Sequence, residues 1–181
     1  MALKATIYKA SLGIADMDRH YYADHALTLA QHPSETDERM MIRLLAFALS
    51  ADNNLTFTRG LSTDDEPELW VKDLTGHITL WIELGLPDED RIRKASNRAD
   101  KVIVYAYGGR QARIWWDKHG NKLERYNNVT VINLPDEATA ELPSLMERTM
   151  TLQVNIQDGD VTLGNENRIL SIRPEYLGAR D

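Results

Sequence analysis

Cysteine is absent from this 181-residue chain. That excludes a disulfide framework, a thiolate zinc site and a cysteine nucleophile. Long apolar runs are missing too. The uncharged ones are short, against the roughly 20 residues that span a bilayer. The opening Met1-Ala2-Leu3-Lys4-Ala5-Thr6-Ile7-Tyr8 alternates like a strand and lacks the apolar stretch of a signal peptide. A cytoplasmic protein with no membrane attachment is expected. No segment follows G-x-G-x-x-G, a P-loop or G-x-S-x-G, so neither those nucleotide cradles nor a serine elbow is supported. His20, His25, His32, His77 and His119 show no paired zinc-ligand spacing. No repeat, low-complexity tract or linker divides the chain, and one domain over residues 1–181 is expected.

Positive charge is also in short supply. Twenty-one Lys and Arg against 28 Asp and Glu give a net charge of −7, which argues against broad nonspecific affinity for nucleic acid. The distribution is uneven, however. Arg91 to Arg125 holds ten basic residues against three acidic, a window of +7 that leaves −14 for the remainder. A local basic surface attracts phosphate even on an acidic protein. The same window also reads as a solvated helix and hairpin that balance the acidic remainder.

The composition, 43% hydrophobic and 27% charged, is that of a globular domain. Period-two alternation predicts a strand over Lys4–Leu12, a turn over Ile14–Arg19 and a second strand over His20–Ala30, with a helix as the alternative for the last. His32-Pro33-Ser34-Glu35-Thr36-Asp37 reads as a helix start capped by Ser34. That helix runs to about Ser50 on a stripe of Met41, Leu44, Leu45, Ala48 and Leu49. Thr56–Leu61 is a short strand, and Asp64–Pro67 a turn. Pro87-Asp88-Glu89-Asp90 begins a helix that ends near Ala99. Lys101–Tyr107 is a buried strand reached by a crossover. Strands are expected at Arg113–Asp117 and Thr130–Leu134, and a Pro143-interrupted helix at Asp136–Thr149. Asp158-Gly159 signals a hairpin between Thr151–Gln157 and Val161–Leu163. The tail after Pro174 is expected to be loosely ordered.

Between the Asp64–Pro67 turn and the Pro87 helix lies the most informative stretch, Pro67 to Gly85. A loop of Thr75-Gly76, or of Leu74 to His77, pairs Leu69 with Ile82 and Val71 with Leu80 on an apolar side. Trp70 then faces Trp81, Lys72 faces Thr79 and Glu68 faces Glu83 on the other. A three-residue loop would send the two carboxylates to opposite faces. Directly opposed residues hold their Cβ atoms about 4.5–5.5 Å apart, so two like charges there need a cation or a shared proton. A hard divalent ion is held by one or two carboxylates, with waters and substrate phosphate completing its shell. The alternative is a Glu68 splayed into water, where the repulsion is screened.

The order of these parts (a helix bearing Glu38, a hairpin bearing Glu68 and Glu83, then a helix and a strand) resembles the PD-(D/E)xK, restriction-endonuclease-like, superfamily. More closely, the chain resembles the bacterial YaeQ family, a variation on that fold. The residues that carry this resemblance are His32-Pro33-Ser34-Glu35-Thr36-Asp37-Glu38-Arg39, Glu66-Pro67-Glu68-Leu69-Trp70, Trp81-Ile82-Glu83-Leu84-Gly85-Leu86-Pro87 and Val104-Tyr105-Ala106-Tyr107-Gly108. It implies an α+β fold, with a central mixed sheet, flanking helices, a nuclease-like core, and extra N-terminal and C-terminal strands. Pro67-Glu68 matches the Pro-Asp element and Glu83 the second acidic position. Gly85 stands where the catalytic lysine belongs.

The resemblance implies Glu68, Glu83 and Glu38 as ligands of Mg²⁺ or Mn²⁺, and Lys94 on the following helix as a displaced catalytic ammonium beside Glu68 and Glu83. Arg91, Lys94 and Arg98 share one helix face by spacing and would meet nucleic acid. In such a site the ion polarises a phosphoryl oxygen and lowers the pKa of a bound water, and Lys94 stabilises developing charge. Two functions follow as expectations. One is a metal-dependent phosphodiester hydrolase acting on nucleic acid. The other is an inactive nuclease-like fold that binds nucleic acid or protein. Trp115-Trp116, amid basic residues, has the chemistry to stack on bases, although core or partner contact is the plainer reading.

Overall fold

More and less buried side chains alternate without a break from Thr6 to Asp16, and this segment is strand β1. The computed structural model describes residues 4–58 and 65–178. These form two compact units, one from the described parts of residues 1–51 and 137–174, the other from those of 52–136 and 175–181. The described residues hold two mixed sheets and four α-helices in an α+β arrangement.

In the first unit β1 pairs antiparallel with β2 (Tyr21–Gln31), from Thr6 opposite Gln31 to Asp16 opposite Tyr21. The strand reading of this second segment holds, with Leu27 and Leu29 buried. The turn is shorter than Ile14–Arg19. Ile14 and Asp16 belong to the strand, and the buried Asp16 carboxylate closes the turn by accepting from Arg19 N at 3.1 Å and Arg19 Nε at 2.7 Å. Strands β8 (Thr149–Gln157), β9 (Asp160–Gly164) and β10 (Ile169–Ile172) complete a sheet ordered β10-β9-β8-β1-β2. Asp158 and Gly159, both at positive φ, make the expected tight turn between β8 and β9.

Helix α1 (Asp37–Leu49) is capped by Thr36, whose hydroxyl accepts from Arg39 N at 3.1 Å. Ser34 is not the cap, because its hydroxyl bonds His32 Nδ1 at 2.7 Å instead. Every residue from Met40 to Ala48 is buried, so the helix is enclosed rather than laid on one stripe. It packs against β2 and a 3-10 turn at Leu142–Leu145. Pro143 lies in the first positions of that turn, which is separate from the short α4 (Asp136–Thr139).

The second unit is a sheet ordered β11-β7-β6-β5-β4-β3. Its strands are β3 (Leu55–Phe57), β4 (Leu69–Lys72), β5 (Ile78–Leu84), β6 (Ala99–Ala106), β7 (Val129–Asn133) and β11 (Glu175–Leu177). The first of these is the short strand expected at Thr56–Leu61; residues 59–61, like Asp64 of the expected turn, lie outside the described residues. Helix α2 (Glu89–Arg98) carries β5 over to the parallel β6, and α3 (Arg110–Leu123) carries β6 to the parallel β7. Trp81, Ile92, Ala95, Val102, Val104 and Trp115 belong to the core between helices and sheet.

Two expectations fail in this unit. Arg113–Asp117 is helix, since Ala112, Trp115 and Leu123 recur at helical spacing on its buried side; a five-residue window is too short to separate the two periods. The tail is also not loose at its start, because Glu175–Leu177 pairs antiparallel with Val131–Asn133.

At the end of the β4–β5 turn, His77 Nε2 lies 2.6 Å from Asp100 Oδ1. That hydrogen bond and the Asp100 charge hold the imidazolium above its usual pKa. Both groups are exposed, so the pair reports on local geometry rather than stability. Its small contribution is complete below the unfolded pKa and fades as pH rises through the folded one. An NMR titration should find the His77 midpoint above about 6.5, and D100N should lower it. An unmoved midpoint would mean that the contact does not form.

Candidate carboxylate–arginine site

The register of the β4–β5 hairpin decides whether Glu68 and Glu83 meet. The loop has three residues, because Asp73 N donates to His77 O at 2.9 Å and Gly76 N to Asp73 O at 3.0 Å. Gly76, at φ +86, supplies the left-handed residue that such a loop requires. By itself this loop would shift the carboxylates apart. A bulge between Val71 and Lys72 absorbs the offset: Lys72 pairs with Ile78, while Val71, Trp70 and Leu69 keep Leu80, Trp81 and Ile82 as partners. Ladder pairing ends at Leu69 and Ile82; Glu68 N also donates to Ile82 O at 3.0 Å, one residue out of the register that would set it opposite Glu83. The expected register therefore holds for Leu69, Trp70 and Val71 through a device the pattern did not show, while Lys72 faces Ile78 rather than Thr79.

Glu83 points to the helix-covered face, two residues after Trp81 and opposite Val104 of β6. It is 4% exposed. Its Oε1 accepts from Trp81 Nε1 at 2.7 Å and from Arg91 Nε at 2.9 Å. Burial raises the Glu83 pKa; Arg91 and Trp81 pull it back, and the nearby Glu68 charge raises it further. Glu68 is half-buried, and its Oε2 atom is buried. The Glu68 charge is thus felt at Glu83.

The cation paired with Glu83 is Arg91. Asp88 caps α2 by accepting from Arg91 N at 2.8 Å, which sets the first turn of the helix beside the end of β5. From there the guanidinium spans two elements, since its second end donates to Glu66 O at 2.8 Å. Arg98, two turns on, donates to Asp65 O at 2.6 Å and lies 5.0 Å from the centre of a Trp81 ring. Lys94 goes elsewhere: its ammonium is exposed and 3.3 Å from Asp90. Gly85, at φ +92, would place a Cβ 3.9 Å from Tyr107, so room for a side chain exists there but the backbone conformation disfavours one. Glu38 accepts from Thr139 Oγ1 at 3.0 Å.

Of the expected residues, the structure brings Glu68, Glu83 and Arg91 together and turns Lys94 toward Asp90. No group of three His, Asp or Glu side chains suited to a metal gathers among the described residues. Glu68 and Glu83 alone could serve a hard ion as two carboxylate donors, with one Glu83 oxygen already committed to Trp81 and Arg91. The role of Arg91 as counter-ion was missed, although its position eight residues after Glu83, at the start of the next helix, was a usable signal.

A mixed α+β protein with a buried carboxylate–arginine pair at the end of a parallel crossover is the class these features define. The family model described as YaeQ protein matches residues 1–174. YaeQ of Salmonella typhi is 53% identical over 173 residues, covering 96% of each chain. YaeQ of Escherichia coli K12 is 51% identical over 172 residues, covering 95% of each. The crystal structure of YaeQ from Xanthomonas axonopodis pv. citri superimposes with a TM-score of 0.94 at 53% identity, covering 97% of this chain and 99% of that one. YaeQ from Pseudomonas syringae gives 0.91 at 36%, covering 97% of both. The chain belongs to the YaeQ family. No helix among the described residues is long and apolar enough to cross a membrane.

Proposed function

We propose that this chain is a nuclease-like fold that binds nucleic-acid phosphates without cleaving them. The observation that carries this reading is the Glu83–Arg91 pair. An arginine of the chain itself supplies a positive charge at Glu83, and Lys94 turns to Asp90 rather than to the carboxylates. The hairpin–helix–strand order from β4 to β6 fits a PD-(D/E)xK ancestry. Arg91, Lys94 and Arg98, the residues first expected to meet nucleic acid, are each engaged within the protein. The better-placed cations are Arg110, Arg113 and Lys118 on the outer side of α3. All three are exposed and make no ion pair among the described residues. Arg110 and Arg113 are neighbours at i, i+3, and Lys118 follows about two turns after Arg110.

The test is fluorescence anisotropy on labelled single-stranded, duplex and branched oligonucleotides across a salt series. Association should weaken steeply with salt. Changing Arg110, Arg113 and Lys118 together to glutamine should lower the affinity about ten- to a hundredfold and flatten the salt slope by roughly two to three. Binding that ignores salt or these substitutions would direct the search to a protein partner.

A second reading, a Mg²⁺- or Mn²⁺-dependent phosphodiester hydrolase, is favoured by one feature: Glu68 raises the pKa of Glu83, so a cation between them would be welcome. Calorimetric titration of either ion, with E83Q as control, and cleavage assays on the same substrates address it. Cleavage that E83Q abolishes would replace the binding reading.

A further inference from the structure

Trp116 is held by two glycines. Carried on α3, its indole lies against Gly120 one turn later, where a Cβ would stand 2.8 Å from Cε2 and 3.0 Å from Cδ2. Gly178 follows β11 at φ +90, and a Cβ there would be 3.4 Å from Cη2 of the same ring and 3.1 Å from Glu124 Oε1. Any larger residue at either position would have to displace the ring or the carboxylate. The indole thereby walls a partly open cavity of about 370 Å³. Tyr126 lines it too, with Val129, Val131 and Leu177 as further apolar lining.

The side-chain charge lining this cavity among the described residues is of one sign. Glu124 and Asn127 line it, and among the described residues no Lys or Arg does. Glu124 is exposed, and neither a hydrogen bond nor an ion pair engages its carboxylate among the described residues. Anionic ligands are therefore disfavoured, and a neutral one would gain nothing from the carboxylate. A compact organic cation gains from the π-faces of indole and phenol and from the anionic group together.

We propose that the Trp116–Tyr126–Glu124 cavity is a binding site for an organic ammonium group, methylated amines being the best fit. The site is independent of the phosphate-binding reading, because it uses the side of α3 turned to Gly178 and carries the opposite charge.

Choline and its neutral tert-butyl analogue are the probes, titrated into the full chain and followed by the indole N–H resonances, with Trp116 assigned through W116F. Choline should shift the Trp116 signal saturably with a Kd on the order of millimolar. The neutral analogue should bind at least about fivefold more weakly, and E124Q, a change at an exposed position, should cut choline affinity by a similar factor. Equal affinity for choline and its analogue, unchanged affinity in E124Q, or saturation that moves another tryptophan instead would each overturn the proposal.

Discussion

Replacing Arg91 by methionine should cost the protein about 2–3 kcal/mol, read as a lowered urea midpoint at constant m-value. Breaking a fully buried pair costs about 3–5 kcal/mol, because the remaining charge is left without compensation. The Arg91 side chain is 27% exposed against 5% for Glu83, so solvent screening reduces that figure. The loss also removes the bond to Glu66 O, which holds the approach to β4. E83Q/R91M should recover much of the stability, since a neutral amide leaves no orphaned charge. A single R91M variant as stable as the parent would show that the pair contributes nothing.

The pH dependence supplies an independent check on the same group. Burial raises the folded pKa of Glu83, so between the unfolded and folded values the native state holds more protons. Stability then falls as pH rises through that window, which opens near the ordinary glutamate value of about 4.3. The stability difference between parent and E83Q should therefore shrink from acid toward neutral pH. A difference that grows instead would place Glu83 below its usual pKa, with Arg91 outweighing burial.

How far the sequence exposed this arrangement depends on the length of each signal. Strands with a long alternation, such as β1 and β8, were readable because many residues agree on one period. Arg113–Asp117 was misassigned for the opposite reason: isolated from Ala112 and Leu123, its helical spacing is invisible. The hairpin pairing of Leu69–Val71 followed from its apolar side, yet the three-residue loop and its compensating bulge did not, since two offsets that cancel leave the pattern unchanged. The nearness of Glu68 to Glu83 was visible, although the ladder between their strands ends at Leu69 and Ile82. The identity of their cation was not, because a side chain reaching from the next element is set by tertiary geometry rather than by periodicity. Lys94 was the plausible choice by charge alone. Its own helix offers Asp90 four residues earlier, and that local partner competes for it.

The largest effect is expected at the entrance to α1, where a second acid–base cluster is more enclosed: the Arg43 and Glu35 side chains are 8% and 2% exposed, against 27% and 5% for Arg91 and Glu83. Glu35 is 7% exposed, and it receives Arg43 through two bonds, Nη2 to Oε1 at 2.7 Å and Nε to Oε2 at 3.0 Å. Arg39 adds a third at 2.7 Å to Oε2, and Arg43 also donates to Ala30 O at 3.0 Å. One carboxylate thus ties the chain before Thr36 to two turns of α1 and, through Arg43, to β2. E35A would leave the Arg43 guanidinium, only 8% exposed, without its counter-charge, and should cost about 3–5 kcal/mol. R43M should be milder than E35A, because Glu35 would keep Arg39 and the thioether would fill the apolar surroundings of α1. In E35A/R43M no buried charge is stranded, so the double variant should be more stable than E35A alone. Urea unfolding of all four proteins completes the cycle, and strict additivity of the two changes would show that the cluster is geometric proximity without energetic coupling.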